Sequence, residues 1–250
     1  MNRKIKVSAV SYLNTKPLLY GIERHSIIND IDLQLEYPAL IAQHLREDTV
    51  DIGLVPVAAI PSIPNARIVS DYGIAADGKV ASVCIYSRVP IEEIDSIYLD
   101  YQSRTSVRLA QVLLKHYWKI AVPIIQAPEN YIELIKGKTA GVIIGDRALQ
   151  QNSHFEYVYD LAEYWKTFTG LPFVFAAWVA NKDLPEDFIS KFNEANKNGL
   201  AHIDEVVAEN RIDYYDLQVY YRENIQYDLN EENRKGLELF LEYLKDPTIV

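Results

Sequence analysis

The 250-residue chain holds a single cysteine, Cys84, and a single methionine. One cysteine excludes an intrachain disulfide, and Cys84 lies in an apolar stretch with no catalytic-cysteine signature around it, so it reads as a buried apolar side chain. No run of about 18 apolar residues is present, and no membrane-crossing helix is predicted. Met1-Asn2-Arg3-Lys4 leads straight into the first strand without the apolar core and small-residue cleavage site of a secretory signal, which places the expected location in the cytoplasm. Positive charge is in deficit: 25 Lys and Arg stand against 35 Asp and Glu, for a net charge of −10. Neither nucleic acid nor an anionic membrane is an expected partner, since both need clustered Lys and Arg. A small anionic ligand stays open, because local donors set the field of a pocket. The five histidines (25, 44, 116, 154 and 202) include no pair at metal-ligand spacing. Walker, Gly-x-Ser-x-Gly and Gly-x-Gly-x-x-Gly patterns are also absent, so no metal and no cofactor are expected.

What is present starts at Ser11-Tyr12-Leu13-Asn14-Thr15-Lys16-Pro17. It follows the alternating run Ile5–Val10, a short buried strand. Thr15 sits at a helix N-cap position, Pro17 falls in the first turn, and Leu18, Leu19 and Ile22 follow at helical spacing. Ser11, Tyr12 and Asn14 therefore occupy a tight strand-to-helix turn at a carboxyl strand edge, where open α/β sheets bind small ligands. An uncharged amide there holds an oxygen-rich ligand without acting as a strong acid or base.

Strands at Leu33–Tyr37, Asp51–Val55 and Arg67–Ser70, with a helix opened by Pro38, make a βαβ series and a mostly parallel sheet. Gly53 permits close packing on its strand. Val80–Tyr86 reads as an apolar strand interrupted by Ser82, with Arg88-Val89-Pro90 as a crossing point. The pattern then restarts: strands at 97–99, 123–126 and 140–144, and helices at Ser103–Trp118, Asn130–Ile135 and from Asp146. A second long apolar strand covers Phe173–Val179, and helices fill most of the remainder, including the tyrosine-rich stretch Tyr214–Tyr227. The predicted fold is α/β and two-lobed, each lobe a mostly parallel sheet flanked by helices with a ligand cleft between. Residues 1–86 with 176–250 form the first lobe and 87–175 the second.

Three further stretches bear on ligand binding. Ser103-Arg104-Thr105-Ser106 opens a helix, where free N–H groups and three hydroxyls suit an anion; plain N-capping by Ser103 explains the same residues. Gly145 ends a buried strand and leaves room for close approach, with Asp146 as a helix N-cap. Arg147 either binds a carboxylate or pairs with Asp146 or Glu156. Trp165 and Thr169-Gly170-Leu171-Pro172 either wall the cleft or form a buried loop.

Taken in order, Val10–Pro17, Asp51-Ile52-Gly53-Leu54-Val55-Pro56, Ser103–Ser106, Ile144–Ala148 and the Trp165…Pro172 stretch resemble the chorismate dehydratase family, over residues 4 to 180 and at matching length. The resemblance implies a periplasmic-binding-protein-like (type II) fold turned to catalysis. It also implies conversion of chorismate, a small dicarboxylate, to 3-[(1-carboxyvinyl)oxy]benzoate by loss of water, the opening step of the futalosine route to menaquinone. Asn14 and Ser82 fall where the family's active-site polar residues are expected. The substrate-binding set is then Ser11, Tyr12, Ser103, Arg104, Thr105, Ser106, Gly145, Asp146 and Arg147. The related 1,4-dihydroxy-6-naphthoate synthase opens on a Ser-Pro-Cys-Pro-Asn-type motif where this chain has Ser-Tyr-Leu-Asn. A non-catalytic small-anion-binding protein is the rival of another class.

Overall fold

The computed structural model describes residues 3–100, 103–151 and 154–249. The chain divides into two compact units: residues up to Ala75 with Val174–Asn230, and Ala76–Phe173 with the residues from Glu231 onward. The expected first lobe differs from this division, because 76–86 and 231–249 group with the second unit.

The first unit is built on β1 (Ile5–Ala9), β2 (Ile31–Leu35), β3 (Ile52–Pro56), β4 (Arg67–Ala76), β10 (Phe173–Ala180) and β11 (Gln226–Asp228), in the order β11-β4-β10-β3-β1-β2. β1 runs parallel to β2 and β3, whereas β10 pairs antiparallel with β3 and β11 antiparallel with β4. The sheet is thus mixed: β1, β2 and β3 are parallel, β10 runs against them, and β11 runs against β4. Helices α1 (Lys16–Arg24), α2 (Pro38–Arg46), α6 (Glu186–Ala201), α7 (Ile203–Glu209) and the short α8 (Leu217–Val219) complete the unit. Gly53 lets α2 lie on β3, since a Cβ there would meet Ile41 Cγ2 at 2.5 Å. Gly199 does the same for α1 and α6, where an added Cβ would stand 1.8 Å from the Pro17 carbonyl oxygen. The first turn of α1 is therefore seated backbone to backbone on α6.

The second unit contains β5 (Val83–Ser87), β6 (Ser96–Leu99), β7 (Ile124–Gln126), β8 (Thr139–Ile144) and β9 (Tyr157–Asp160), ordered β7-β6-β8-β5-β9. β6 is parallel to β7 and β8, and β5 is antiparallel to β8 and β9. Its helices are α3 (Arg104–Val112), α4 (Asp146–Gln151), α5 (Leu161–Thr169) and α9 (Glu231–Tyr243). The Trp165…Thr169 stretch, read as a loop or wall, is helix α5, closed by Gly170 at φ 77°. Its Trp165 is fully buried, and its ring meets Phe173 at 5.4 Å and Phe240 of α9 at 6.0 Å. That aromatic cluster draws the last helix into the second unit; amphipathic spacing announces a buried face but not what covers it. Cys84, Tyr86, Tyr131 and Ile143 form a separate core on the sheet. No helix among the described residues is long and apolar enough to cross a membrane.

Candidate functional site

At the carboxyl end of β1 the chain does not enter α1 directly. Leu13–Thr15 form a 3-10 turn first, and α1 starts at Lys16 with Pro17 in its first turn. Thr15 is the N-cap residue of α1, as expected, but its side chain makes no capping bond; buried, its hydroxyl donates to Asn14 Oδ1 at 3.2 Å. The Asn14 carbonyl accepts from the Tyr227 hydroxyl at 3.0 Å. Asn14 is thus pinned at both backbone and side chain, half-buried, with its amide N–H groups unmatched among the described residues. Ser11 is exposed and accepts a hydrogen bond from Lys16 Nζ at 3.1 Å, while Tyr12 is half-buried beside it. An ammonium, a hydroxyl and an amide therefore share one edge of the first unit's sheet.

The second unit gathers its polar groups at the carboxyl end of β8. Val83 pairs with Ile144, so the residues before β5 lie beside those after β8. Ser82, expected inside a strand, sits in the turn that precedes β5. It is 2% exposed, and its carbonyl accepts from the Gly145 N–H at 2.7 Å. That turn is unusual. The Ser82 N–H donates to the Val80 carbonyl at 2.8 Å across Ala81, which has φ 63°. This is a γ-turn with a left-handed central residue, a strained form for alanine. Asp160, at the end of β9, holds it: Oδ2 accepts from Val80 N–H at 3.0 Å and Ala81 N–H at 2.6 Å. Oδ1 of the same carboxylate caps α5 through Ala162 and Glu163, at 3.1 and 3.2 Å. Burial pushes the Asp160 carboxyl up to about 6, against the pull of its backbone N–H donors. It also raises the neighbouring Cys84 thiol and Tyr86 phenol.

Gly145, at φ 62° with open space where a Cβ would stand, links β8 to α4. Asp146 is the first residue of α4 rather than its cap, where its charge offsets the positive helix end. Arg147 pairs with Asp100, at 2.6 Å from Nη2 to Oδ2, a partner 47 residues away in the chain. Asp100 is 3% exposed and also accepts from the Tyr131 hydroxyl at 2.7 Å. A buried carboxylate thus orients a guanidinium that keeps partial access to solvent. Just past Asp100 in the chain, Ser103 caps α3: its Oγ accepts from Ser106 N–H at 3.2 Å and donates to Ser106 Oγ at 2.9 Å. Thr105 and Ser106 are buried, and Arg104 is exposed.

The structure therefore brings Ser82, Gly145, Asp146 and Arg147 to one sheet edge of the second unit, and Ser11, Tyr12 and Asn14 to one edge of the first. Sequence reasoning missed the groups behind them. Asp160 had a readable signal, an Asp before the helical spacing Leu161, Ala162, Trp165. Asp100 and Tyr227 had none, because their partners lie far away in the chain. Among the described residues, no group of three or more His, Cys, Asp or Glu is arranged to hold a metal ion.

Residues 5–246 match a family model described as menaquinone biosynthesis. A curated chorismate dehydratase of Thermus thermophilus is 29% identical, with 93% of this chain and 97% of that one covered. One from Campylobacter jejuni is 28% identical, with 94% and 96% covered. Among solved structures, a Candida albicans protein described as having the generic periplasmic binding protein fold aligns with a TM-score of 0.56 at 11% identity, over 98% of this chain and 95% of that one. That last likeness bears on the fold alone.

Proposed function

The chain belongs to the menaquinone biosynthesis family, and on that premise we propose that it is a carbon–oxygen lyase that dehydrates chorismate to 3-[(1-carboxyvinyl)oxy]benzoate, opening the futalosine route. The near full-length alignment with two chorismate dehydratases carries this reading. The chemistry of the two sheet edges agrees with it. Chorismate is a dianion whose carboxylates call for donors, and Lys16, Ser11, the Asn14 amide and Arg147 are donors of that kind.

The reaction removes the C3 proton and the C4 hydroxyl. The C3–H electron pair becomes the third ring double bond and the C4–O bond breaks; the base that takes the C3 proton passes it to the departing hydroxyl, which leaves as water and returns the base to its ionised form. Aromatisation drives the step, and no redox or group-transfer partner is needed. The two buried carboxylates at the second unit's edge are committed elsewhere: Asp100 to Arg147 and Tyr131, Asp160 to four backbone N–H groups. The proton acceptor assigned here is therefore the enolpyruvyl carboxylate of the substrate itself, which is held close to C3 by covalent geometry. Asn14 orients that carboxylate or the departing hydroxyl, and Ser82 contributes its hydroxyl.

Two experiments test this. Purified Asn14→Ala and Asn14→Asp should both lose most of their turnover of chorismate; near-normal rates in both remove Asn14 from the mechanism. Chorismate methylated on the enolpyruvyl carboxylate should not be dehydrated, and turnover of that ester overturns the substrate-base assignment. Tight binding of chorismate without turnover is the outcome that a small-anion-binding protein would give.

A further inference from the structure

We propose that Asp160 is the positioning residue of the Ser82 hydroxyl: its carboxylate holds the Val80–Ser82 turn and so sets the direction in which the Ser82 side chain leaves the backbone. The inference rests on the dehydratase reading above.

A non-glycine residue in the left-handed region persists only where its surroundings over-determine it. Here they do so from three sides. The Val80 and Ala81 N–H groups go to Asp160 Oδ2, the Ser82 N–H closes the γ-turn on Val80, and the Ser82 carbonyl takes the Gly145 N–H. A carboxylate that served only as the α5 cap would need one oxygen, and Oδ1 fills that role. Oδ2 is left to the turn and to the Cys84 thiol, whose Sγ donates to it at 3.9 Å, and it lies in the buried interior, with Asp160 3% exposed. The strain is thus placed one residue from Ser82 and held by a group that does not itself reach substrate. An asparagine at 160 has one acceptor oxygen and one NH2 group, so whichever way the amide lies, either the turn or the cap loses its acceptor.

The test is steady-state kinetics with chorismate on wild type, Asp160→Asn, Ser82→Ala, the double variant, Ala81→Val, and Ala81→Gly combined with Asp160→Asn. Asp160→Asn should lower kcat on the order of 10- to 100-fold, as misplacement of a reacting-site group does, while KM moves less than about threefold. The double variant should be no slower than Ser82→Ala alone, because both changes remove one function. Glycine at 81 adopts a positive φ freely and should restore much of the kcat lost in Asp160→Asn, although it does nothing for the α5 cap. Ala81→Val, which disfavours the turn without touching Asp160, should resemble Asp160→Asn and decides the matter if that variant does not fold. The proposal is overturned if Asp160→Asn slows Ser82→Ala by the factor it imposes on wild type, if Ala81→Gly gives no rescue, or if Ala81→Val is fully active. Wild-type protein that leaves chorismate unchanged overturns the functional reading instead. Amide exchange then tests the turn directly: Val80 and Ala81 released in Asp160→Asn supports the holding role, and equal protection in both proteins refutes it.

Discussion

Gly199→Ala sets helix propensity against packing, with opposite signs. In an exposed helix the change from glycine to alanine gains about 1 kcal/mol. At this position the added Cβ would stand 1.8 Å from the Pro17 carbonyl oxygen and 2.9 Å from Gly21 N. A carbon–oxygen contact settles at about 3.3 Å or beyond, so α1 must retreat from α6 by about 1.5 Å. Both obstacles are backbone, and no side chain can rotate away. Overpacking of this kind costs about 1–3 kcal/mol, and the rigid contact places it at the upper end. Net of propensity, the expected loss is about 1–2 kcal/mol. In a chain of this size that lowers Tm by about 2–8 °C. The displaced residue belongs to the first turn of α1, next to Asn14, so kcat for chorismate should fall along with stability. Urea and thermal unfolding with a parallel rate measurement decide it. A variant as stable as wild type, or more so, would refute the close seating of α1 on α6.

Tyr227→Phe removes the hydroxyl that donates to the Asn14 carbonyl, and should cost about 1 kcal/mol in urea unfolding with a lower kcat; no change in either measurement breaks the link between β11 and the Asn14 turn. Asp100→Ala strips Arg147 and Tyr131 of their shared carboxylate. The expected loss is at or below ~3 kcal/mol, the low end for a broken buried pair, because Arg147 keeps access to water. KM for chorismate should rise about tenfold at little change in kcat if Arg147 binds substrate, and an unaltered KM removes it from binding. The pH profile follows from Asp160, whose carboxyl stands at about 6 in the folded chain against an ordinary 3.8. Between those values the folded chain holds a proton that the unfolded chain has released, so this group's contribution to stability declines as pH rises through about 6. Turnover runs the other way, because the ionised form is the one that accepts all four N–H groups. Cys84 and Tyr86 stay protonated beside it, both pushed up by burial, and Glu163 adds like charge. kcat should therefore fall below about pH 6 in wild type, and an identical acid limb in Asp160→Asn would contradict the assignment.

Strands with clear period-two or fully apolar patterns were legible in the sequence: β1, β3, β8 and β10 lie within a residue or two of where the residues place them. The Tyr12–Asn14 turn and Gly145 were legible too, since turn chemistry is local. Elements whose identity depends on partners were not. β11 is three residues of a tyrosine-rich stretch whose spacing resembles a helix, and only pairing with β4 makes it a strand. Ser82 reads as a strand residue because its neighbours are apolar. The γ-turn that removes it from β5 is imposed by a carboxylate almost eighty residues away in the chain. Asn14 was visible as a polar group at a strand edge, whereas Tyr227, which holds it, meets it only after the chain has folded.

The most direct measurement gives the purified protein a large molar excess of chorismate and follows it by mass spectrometry and ultraviolet absorbance, with and without a metal chelator. Conversion of the whole excess to an aromatic product lighter by one water, at the same rate in both samples, is the expected result. Recovery of unchanged chorismate, with no more than one equivalent retained by the protein, would contradict it.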